Sequence, residues 1–300
     1  MEKNIYRSGF VSLIGRTNVG KSTLMNQFIG EKLSIVSDKP QTTRNRIQCI
    51  LSRQDGQAVF LDTPGLHKTK TVLGERMNRY AVDTIPEVDL ILFVVTADST
   101  SIGKGDQTTI EQLQRATAPI YLVINKADLA ESPEHITALG DMFAAQVKLA
   151  GRFVISALHG DGVTQLCDAI FASLPEGPQY YPDDMIIDQP ERFLAAEIIR
   201  EKVLQLTRDE IPHGVAVDID SMKENDEGMT VIAATIYVDR ESPKRIIIGA
   251  KGSMLKEIGS LARKDLEDLL GMRVYLELWV KVREGWRDNE RSLREFGYRK

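Results

Sequence analysis

FVSLIGRTNVGKSTLMNQFIG, Phe10 to Gly30, decides the fold. An apolar run suited to a buried strand meets the octet Gly15-Arg16-Thr17-Asn18-Val19-Gly20-Lys21-Ser22 and passes directly into a helix-like stretch. Glycines let successive backbone N–H groups turn inward around an anion, and the helix start adds partial positive charge. Lys21 then places an ammonium on terminal phosphates, and Ser22 offers a hydroxyl to Mg²⁺. The octet is a phosphate loop (P-loop) in its proper strand-to-helix context.

The sequence around it agrees. AVFLD, LILFVVTA, IYLVINK and FVISA are continuous rather than alternating apolar runs, as expected of strands buried on both faces of a mainly parallel sheet. IQCILSRQ and QAVFLD flank Asp55-Gly56, which predicts a tight hairpin and one antiparallel edge. Residues 1–175 therefore read as an α/β nucleotide-binding domain with its ligand loops at strand C-termini.

The base is read from NKAD, Asn125-Lys126-Ala127-Asp128, at the end of IYLVI. An ionised Asp128 only accepts hydrogen bonds, so it pairs with the ring N–H and exocyclic amine of guanine. Adenine lacks that donor pair and would leave the carboxylate desolvated and unpaired. Ser156 and Ala157 end the next apolar run, and the Ala157 N–H can meet the guanine carbonyl.

LDTPGL supplies Asp62, Thr63, Pro64 and Gly65: Asp62 to hold Mg²⁺ through water, Gly65 to turn its N–H to the γ-phosphate. Thr42 or Thr43, in KPQTTRNR, can close over the metal when the γ-phosphate is present, and Thr42 is the preferred ligand beside Ser22 and Asp62. Lys21, Thr42, Thr43 and Gly65 form the candidate catalytic set. Leu66 stands where glutamine-dependent GTPases orient water, so hydrolysis here needs another arrangement.

Composition narrows the class without deciding it. With 42% hydrophobic and 27% charged residues the chain is ordinary for a soluble globular protein, here read as cytoplasmic and monomeric. No apolar run approaches the roughly 20 residues of a bilayer span. Cys49 and Cys167 are the only cysteines and predict neither a disulfide framework nor, with four scattered histidines, a zinc site. The net charge of −5 is uneven: residues 240–300 carry 15 basic and 10 acidic side chains, which suggests an anionic partner for the C-terminal part.

Pro175, Pro178, Pro182 and Pro190 punctuate the stretch after the first domain, so residues 176–190 read as a stiff linker. Residues 191–283 then run helix, strand, strand, short helix, helix, strand, followed by a tail at 284–300. Gly249-Ala250-Lys251-Gly252 joins the short helix to the long one. That placement fits a small α+β KH domain of type II, whose GxxG loop clamps single-stranded RNA against an apolar groove. Ile246, Ile248 and Ile258 would line or support the groove, with buried helix packing an equal explanation, and Lys281, Arg283, Trp286 and Arg287 can extend the RNA surface. Trp279 reads as packed; Trp286 stays open between packing and stacking.

GRTNVGKST, PQTTRNRI, DTPGLH, NKAD and ISAL together resemble the Era family, within the translation-factor-related GTPases, and LELWVKVREGW and LREFGY extend the likeness over nearly the whole chain. The family belongs to a group with a hydrophobic residue at the glutamine position, so Leu66 agrees with it. The resemblance implies slow GTP hydrolysis, binding of 16S ribosomal RNA near its 3′ end, action in small (30S) subunit assembly and rRNA maturation, and peripheral contact with the inner membrane. Some relatives with Asn at the Asn18 position bind a potassium ion against the phosphates, in the arginine-finger role, so Asn18 either holds such an ion or only stabilises its own loop. A passive RNA-binding assembly factor with a structural nucleotide site is the alternative. A tRNA-modifying GTPase would expect a cofactor-binding or redox-cysteine domain, which the sequence does not show.

Overall fold

The structure is a computed structural model that describes residues 5–31, 33–35, 39, 42–65, 69–207, 211 and 214–298. Contacts divide the chain into two compact units, Met1–Ser34 with Thr43–Lys70 and Gly74–Asp188, and Ile35–Thr42 with Thr71–Leu73 and Gln189–Lys300.

The first unit is the expected α/β domain. Its strands are β1 (Arg7–Ile14), β2 (Ile47–Arg53), β3 (Gly56–Asp62), β4 (Leu90–Thr96), β5 (Ile120–Asn125) and β6 (Gly151–Val154), in the order β2-β3-β1-β4-β5-β6. All neighbours are parallel except β2 and β3. Both β3 and β4 are buried throughout, which is why their sequences are apolar without alternation. Helices α1 (Lys21–Ile29), α2 (Val72–Asp83), α3 (Lys104–Leu113), α4 (Pro133–Ala144) and α5 (Val163–Ser173) connect them, with α1 and α5 packed on β3 and α4 on β5. Phe93 and Phe143 meet edge-to-face with centroids 5.4 Å apart in the core.

The hairpin lies one residue earlier than its glycine suggests. Arg53 pairs with Gly56, so Gln54 and Asp55 make the turn. Gly56 is there because β1 comes close: a Cβ at this position would lie 2.3 Å from the Arg7 carbonyl oxygen.

The proline-rich segment is not a free linker as far as Asp188. Ser8 Oγ donates to the Pro178 carbonyl at 2.6 Å, and Gln57 Oε1 accepts the N–H groups of Tyr180 and Tyr181, each at 2.9 Å. Ile187 bridges Cys49, the Ile50 N–H donates to the Ile186 carbonyl at 2.9 Å, and the Asp188 N–H to the Gln48 carbonyl at 3.0 Å. The expected linker thus straps the outer edge of β2 and satisfies backbone groups that an edge strand leaves open.

In the second unit come α6 (Glu191–Leu206), β7 (Val215–Glu224), β8 (Thr230–Val238), α7 (Glu241–Ile248), α8 (Ser253–Leu270), β9 (Val274–Val282) and α9 (Glu290–Glu295). The sheet runs β7-β8-β9, antiparallel then parallel, with α6 and α8 packed together, α6 on β7 and α8 on β9. The tail belongs to this unit's packing. Trp286 is fully buried, its indole N–H donates to the Gly214 carbonyl at 3.0 Å, and Phe296 stands edge-on to its ring. Trp279 is 45% exposed on β9, against the sequence expectation that it packs, while the open choice for Trp286 falls to packing. Strand alternation told that Trp279 shares a face with Tyr275 and Lys281, but not that this end of the face lies open.

Candidate functional site

β1 delivers the phosphate loop and α1 receives it. Gly20, the residue before α1, sits at φ 94, and a Cβ there would fall 2.3 Å from Asn125 Nδ2, so both conformation and space require glycine. Lys21 is buried with Nζ donating to the Gly15 and Arg16 carbonyls at 3.1 and 3.0 Å. Burial pulls its pKa down to about 8, the nearby Asp62 charge opposing and Arg16 assisting. Arg16 turns its guanidinium to Thr96 Oγ1 at 2.8 Å, Ser99 Oγ at 3.1 Å and Asp106 at 3.5 Å, partners the sequence reading did not name.

Beside Lys21 three oxygens gather. Ser22 Oγ donates to Asp62 Oδ2 at 2.8 Å, lies 2.9 Å from Thr43 Oγ1, and Thr43 donates to the same Asp62 oxygen at 3.3 Å. Thr42 Oγ1 instead donates to the Lys39 carbonyl at 2.6 Å, so the structure brings Thr43, rather than the preferred Thr42, beside Ser22 and Asp62. Asp62 is fully buried, its pKa raised by desolvation against the pull of Lys21 and the hydroxyls, and its Oδ1 has no hydrogen-bond partner. An all-oxygen set with an orphaned, buried carboxylate oxygen fits a hard divalent ion such as Mg²⁺. Thr63 faces away, donating to the Leu13 carbonyl at 2.8 Å. Gly65 closes on the phosphate loop: a Cβ there would lie 2.7 Å from the Thr17 nitrogen. Leu66 lies outside the described residues.

At the guanine end, Asn125 ties loops together. Its Nδ2 donates to the Val19 carbonyl at 2.8 Å and its Oδ1 accepts the Ala157 N–H at 2.9 Å, so the N–H expected to face guanine is engaged. Asp128 is exposed, and Ser156 Oγ donates to it at 2.5 Å; that bond holds the carboxyl below its ordinary pKa, ionised as base recognition requires.

The second loop also turns through left-handed backbone. Gly249, Lys251 and Gly252 all take positive φ, at 73, 52 and 82°. Beside them lies an open groove of about 540 Å³ lined by Gly252 of the loop, by Leu255, Lys256, Gly259, Ser260 and Arg263 on α8 and by Leu276 and Leu278 on β9. Except for Gly252, none of these was named from sequence, although 252, 256, 259 and 263 follow helical spacing. Ile246 is exposed near the loop, whereas Ile258 is core. Of the expected basic extension, Lys281 is exposed, but Arg283 pairs with Glu295 at 2.5 Å over the Phe296 ring.

Among the described residues the non-glycine positions at positive φ are Asn18, Lys126 and Lys251, one in each motif loop. Such conformations cost of order 1 kcal/mol and persist where function requires them.

A family profile described as 50S ribosome-binding GTPase matches residues 10–126, and a KH domain profile matches residues 210–287. GTPase Era of Alkaliphilus oremlandii is 54% identical over 98% of this chain and 99% of its own, and that of Geobacter metallireducens 53% over 99% and 100%. The chain belongs to the Era family of GTPases. Solved Era structures agree: a Tyr-to-Ala variant from Aquifex aeolicus bound to GDP·AlF₄⁻ superposes with a TM-score of 0.93 at 42% identity, covering 97% and 99% of the two chains. Era in complex with MgGDPNP and nucleotides 1506–1542 of 16S ribosomal RNA gives 0.94 at 42% identity, covering 98% and 99%. Era membership makes the chain a GTP-hydrolysing enzyme with an RNA-binding KH domain and sets aside the passive-factor alternative. No helix of the described residues is long and apolar enough to cross a membrane.

Proposed function

We propose that the chain is a GTP-driven switch in small-subunit assembly that grips the 3′-terminal region of 16S rRNA in the groove between α8 and β9. The observation that carries this is that a chain of the same two-domain fold holds MgGDPNP and 16S nucleotides together, while this chain keeps both loops built for them. Ser22, Thr43 and Asp62 would hold Mg²⁺, which when bound draws charge from the β- and γ-phosphate oxygens. Lys21 adds its ammonium, Gly65 offers an N–H, and Asp128 aimed by Ser156 selects guanine. Lys251 and Lys256 meet the RNA backbone, and Gly249, Ala250 and Gly252 allow its close approach. Leu66 leaves water positioning to backbone groups, and a potassium ion beside Asn18 would take the arginine-finger role; slower turnover with NaCl in place of KCl supports the ion, and an unchanged rate removes it.

Binding of a 16S 3′-terminal oligonucleotide, measured with GDPNP and with GDP against a scrambled sequence, tests the reading. Sequence-selective binding that changes with nucleotide supports it; equal affinity for the scrambled RNA overturns it. Work on the 30S subunit and in rRNA maturation, in the cytoplasm with peripheral contact at the inner membrane, enters this reading through the family resemblance alone.

A further inference from the structure

Lys21 Nζ has three donors, and the Gly15 and Arg16 carbonyls take two of them, at 3.1 and 3.0 Å. Those two carbonyls therefore set where the remaining donor can point. They are held by different means. Gly15 is wedged against β4, where a Cβ would lie 2.3 Å from the Val94 carbonyl oxygen. Arg16 is held through its side chain. Its Nη2 donates to Thr96 Oγ1 at 2.8 Å and Ser99 Oγ at 3.1 Å, two hydroxyls themselves 3.0 Å apart, and its Nε faces Asp106 Oδ1 at 3.5 Å.

Asp106 lies in SIGKGDQTT, where the sequence reading names no functional residue. It is 2% exposed, and its Oδ2 accepts the Gly103 N–H at 3.2 Å where α3 begins. An exposed side chain caps a helix start equally well, so capping alone gives no reason to bury a carboxylate. Burial raises its pKa, and the Arg16 charge is the largest effect pulling it back. The first turn of α3 also closes on the arginine stem, since a Cβ on Gly105 would lie 3.2 Å from Arg16 Cβ. The start of α3 is thus shaped to grip Arg16.

We propose that Arg16 is a positioning residue, gripped by Asp106, Thr96 and Ser99 so that its carbonyl holds the Lys21 ammonium in line for the phosphates. This rests on the reading of Lys21, given above, as the ammonium that meets the β- and γ-phosphates. With the grip released, the Arg16 peptide can turn its carbonyl away, and the ammonium spreads over orientations that bring it less often to a phosphate oxygen. An arginine that only packs, or one that touches phosphate itself, would matter as much without Lys21 as with it.

The test is a mutant cycle. Affinities for fluorescent GDP and GDPNP, and single-turnover GTP hydrolysis, are measured in Arg16→Met and Asp106→Asn, each with Lys21 present and with Lys21→Ala. With Lys21 present, Arg16→Met should weaken both nucleotides about fivefold and slow hydrolysis about tenfold. In the Lys21→Ala background the same substitution should change affinity by less than about twofold, a non-additivity that lost packing does not produce. Asp106→Asn keeps the shape and an acceptor for Gly103, and should weaken both nucleotides about threefold by the same Lys21-dependent pattern. Should Arg16→Met fail to fold, Asp106→Asn carries the same comparison. An undiminished effect in the Lys21→Ala background, or no effect with Lys21 present, overturns the proposal. If Lys21→Ala itself leaves affinity and hydrolysis at wild-type values, the reading of Lys21 falls, and the proposal with it.

Discussion

The phosphate loop and the GxxG loop are built by the same local device and enclosed in opposite ways. Each puts a polar residue at positive φ, Asn18 at 65° and Lys251 at 52°, and each enters its helix through a left-handed glycine, Gly20 and Gly252. Around the first, Lys21 and Asp62 are buried and hydrogen-bonded to neighbouring carbonyls and hydroxyls. Around the second, Lys251 and Lys256 stand in solvent beside an open apolar wall. Phosphoryl transfer gains most from charges held ready in a site with little water, because they need no rearrangement as charge develops. An RNA backbone needs reach and screened attraction. Local backbone conformation prepares a loop to meet phosphate, and burial decides whether it does chemistry or holds on.

The comparison breaks most visibly at Lys21. Lys21→Ala should lower single-turnover GTP hydrolysis by at least about 10²-fold, since a desolvated ammonium has no replacement from water; phosphate release at the wild-type rate would show that burial confers no advantage. Asp128→Ala should weaken GDP binding by about 10²-fold while leaving weak ATP binding unchanged, read in a competition titration. Loss of both nucleotides together would remove Asp128 from base selection.

A third effect comes from the Lys21 pKa of about 8 in the nucleotide-free protein. Above that pH the free protein has lost a proton that phosphate binding restores, so GDP affinity should fall by up to about tenfold per unit as pH rises. Stability of the free protein should move the other way. The unfolded lysine keeps its proton up to the ordinary 10.5, so the unfolded state binds more protons between about 8 and 10.5 and the fold gains as pH rises there. Calorimetric titrations across this range check both signs. The smallest effect belongs to the open loop: replacing Lys251 and Lys256 by alanine should reduce RNA affinity, lower the salt dependence by somewhat under two counterions, and leave GTP turnover alone.

What the sequence made legible follows the same division. The phosphate loop, NKAD and GxxG declared themselves because backbone conformation and phosphate geometry tie glycines, lysines and carboxylates to short fixed spacings. Thr42 against Thr43 did not, since identical neighbours differ only in where the tertiary structure points them, and Asp62 and Ser22 are far away in sequence. Asn125 and Asp128 sit three apart, yet one ties loops and the other faces solvent, a distinction set by Val19 and Ala157. Residues 176–188 looked like a linker because proline excludes helix and central strand, which says nothing about whether an edge strand waits to be covered. Arg283 read as a free cation in the sequence, where the tail's Glu295 beside it could not be seen.

The two tryptophans supply an optical handle on this architecture. Both follow Gln189 in the chain, so the GTPase unit contributes no indole emission at all. Trp286, sealed between Phe296 and Tyr298, emits from an apolar surrounding, while Trp279 on β9 is open to quenchers dissolved in the buffer. A quencher series in denaturant therefore reads the RNA-binding unit alone, and any change in Trp279 accessibility on adding GTP would be a signal arriving from a domain that cannot itself be seen.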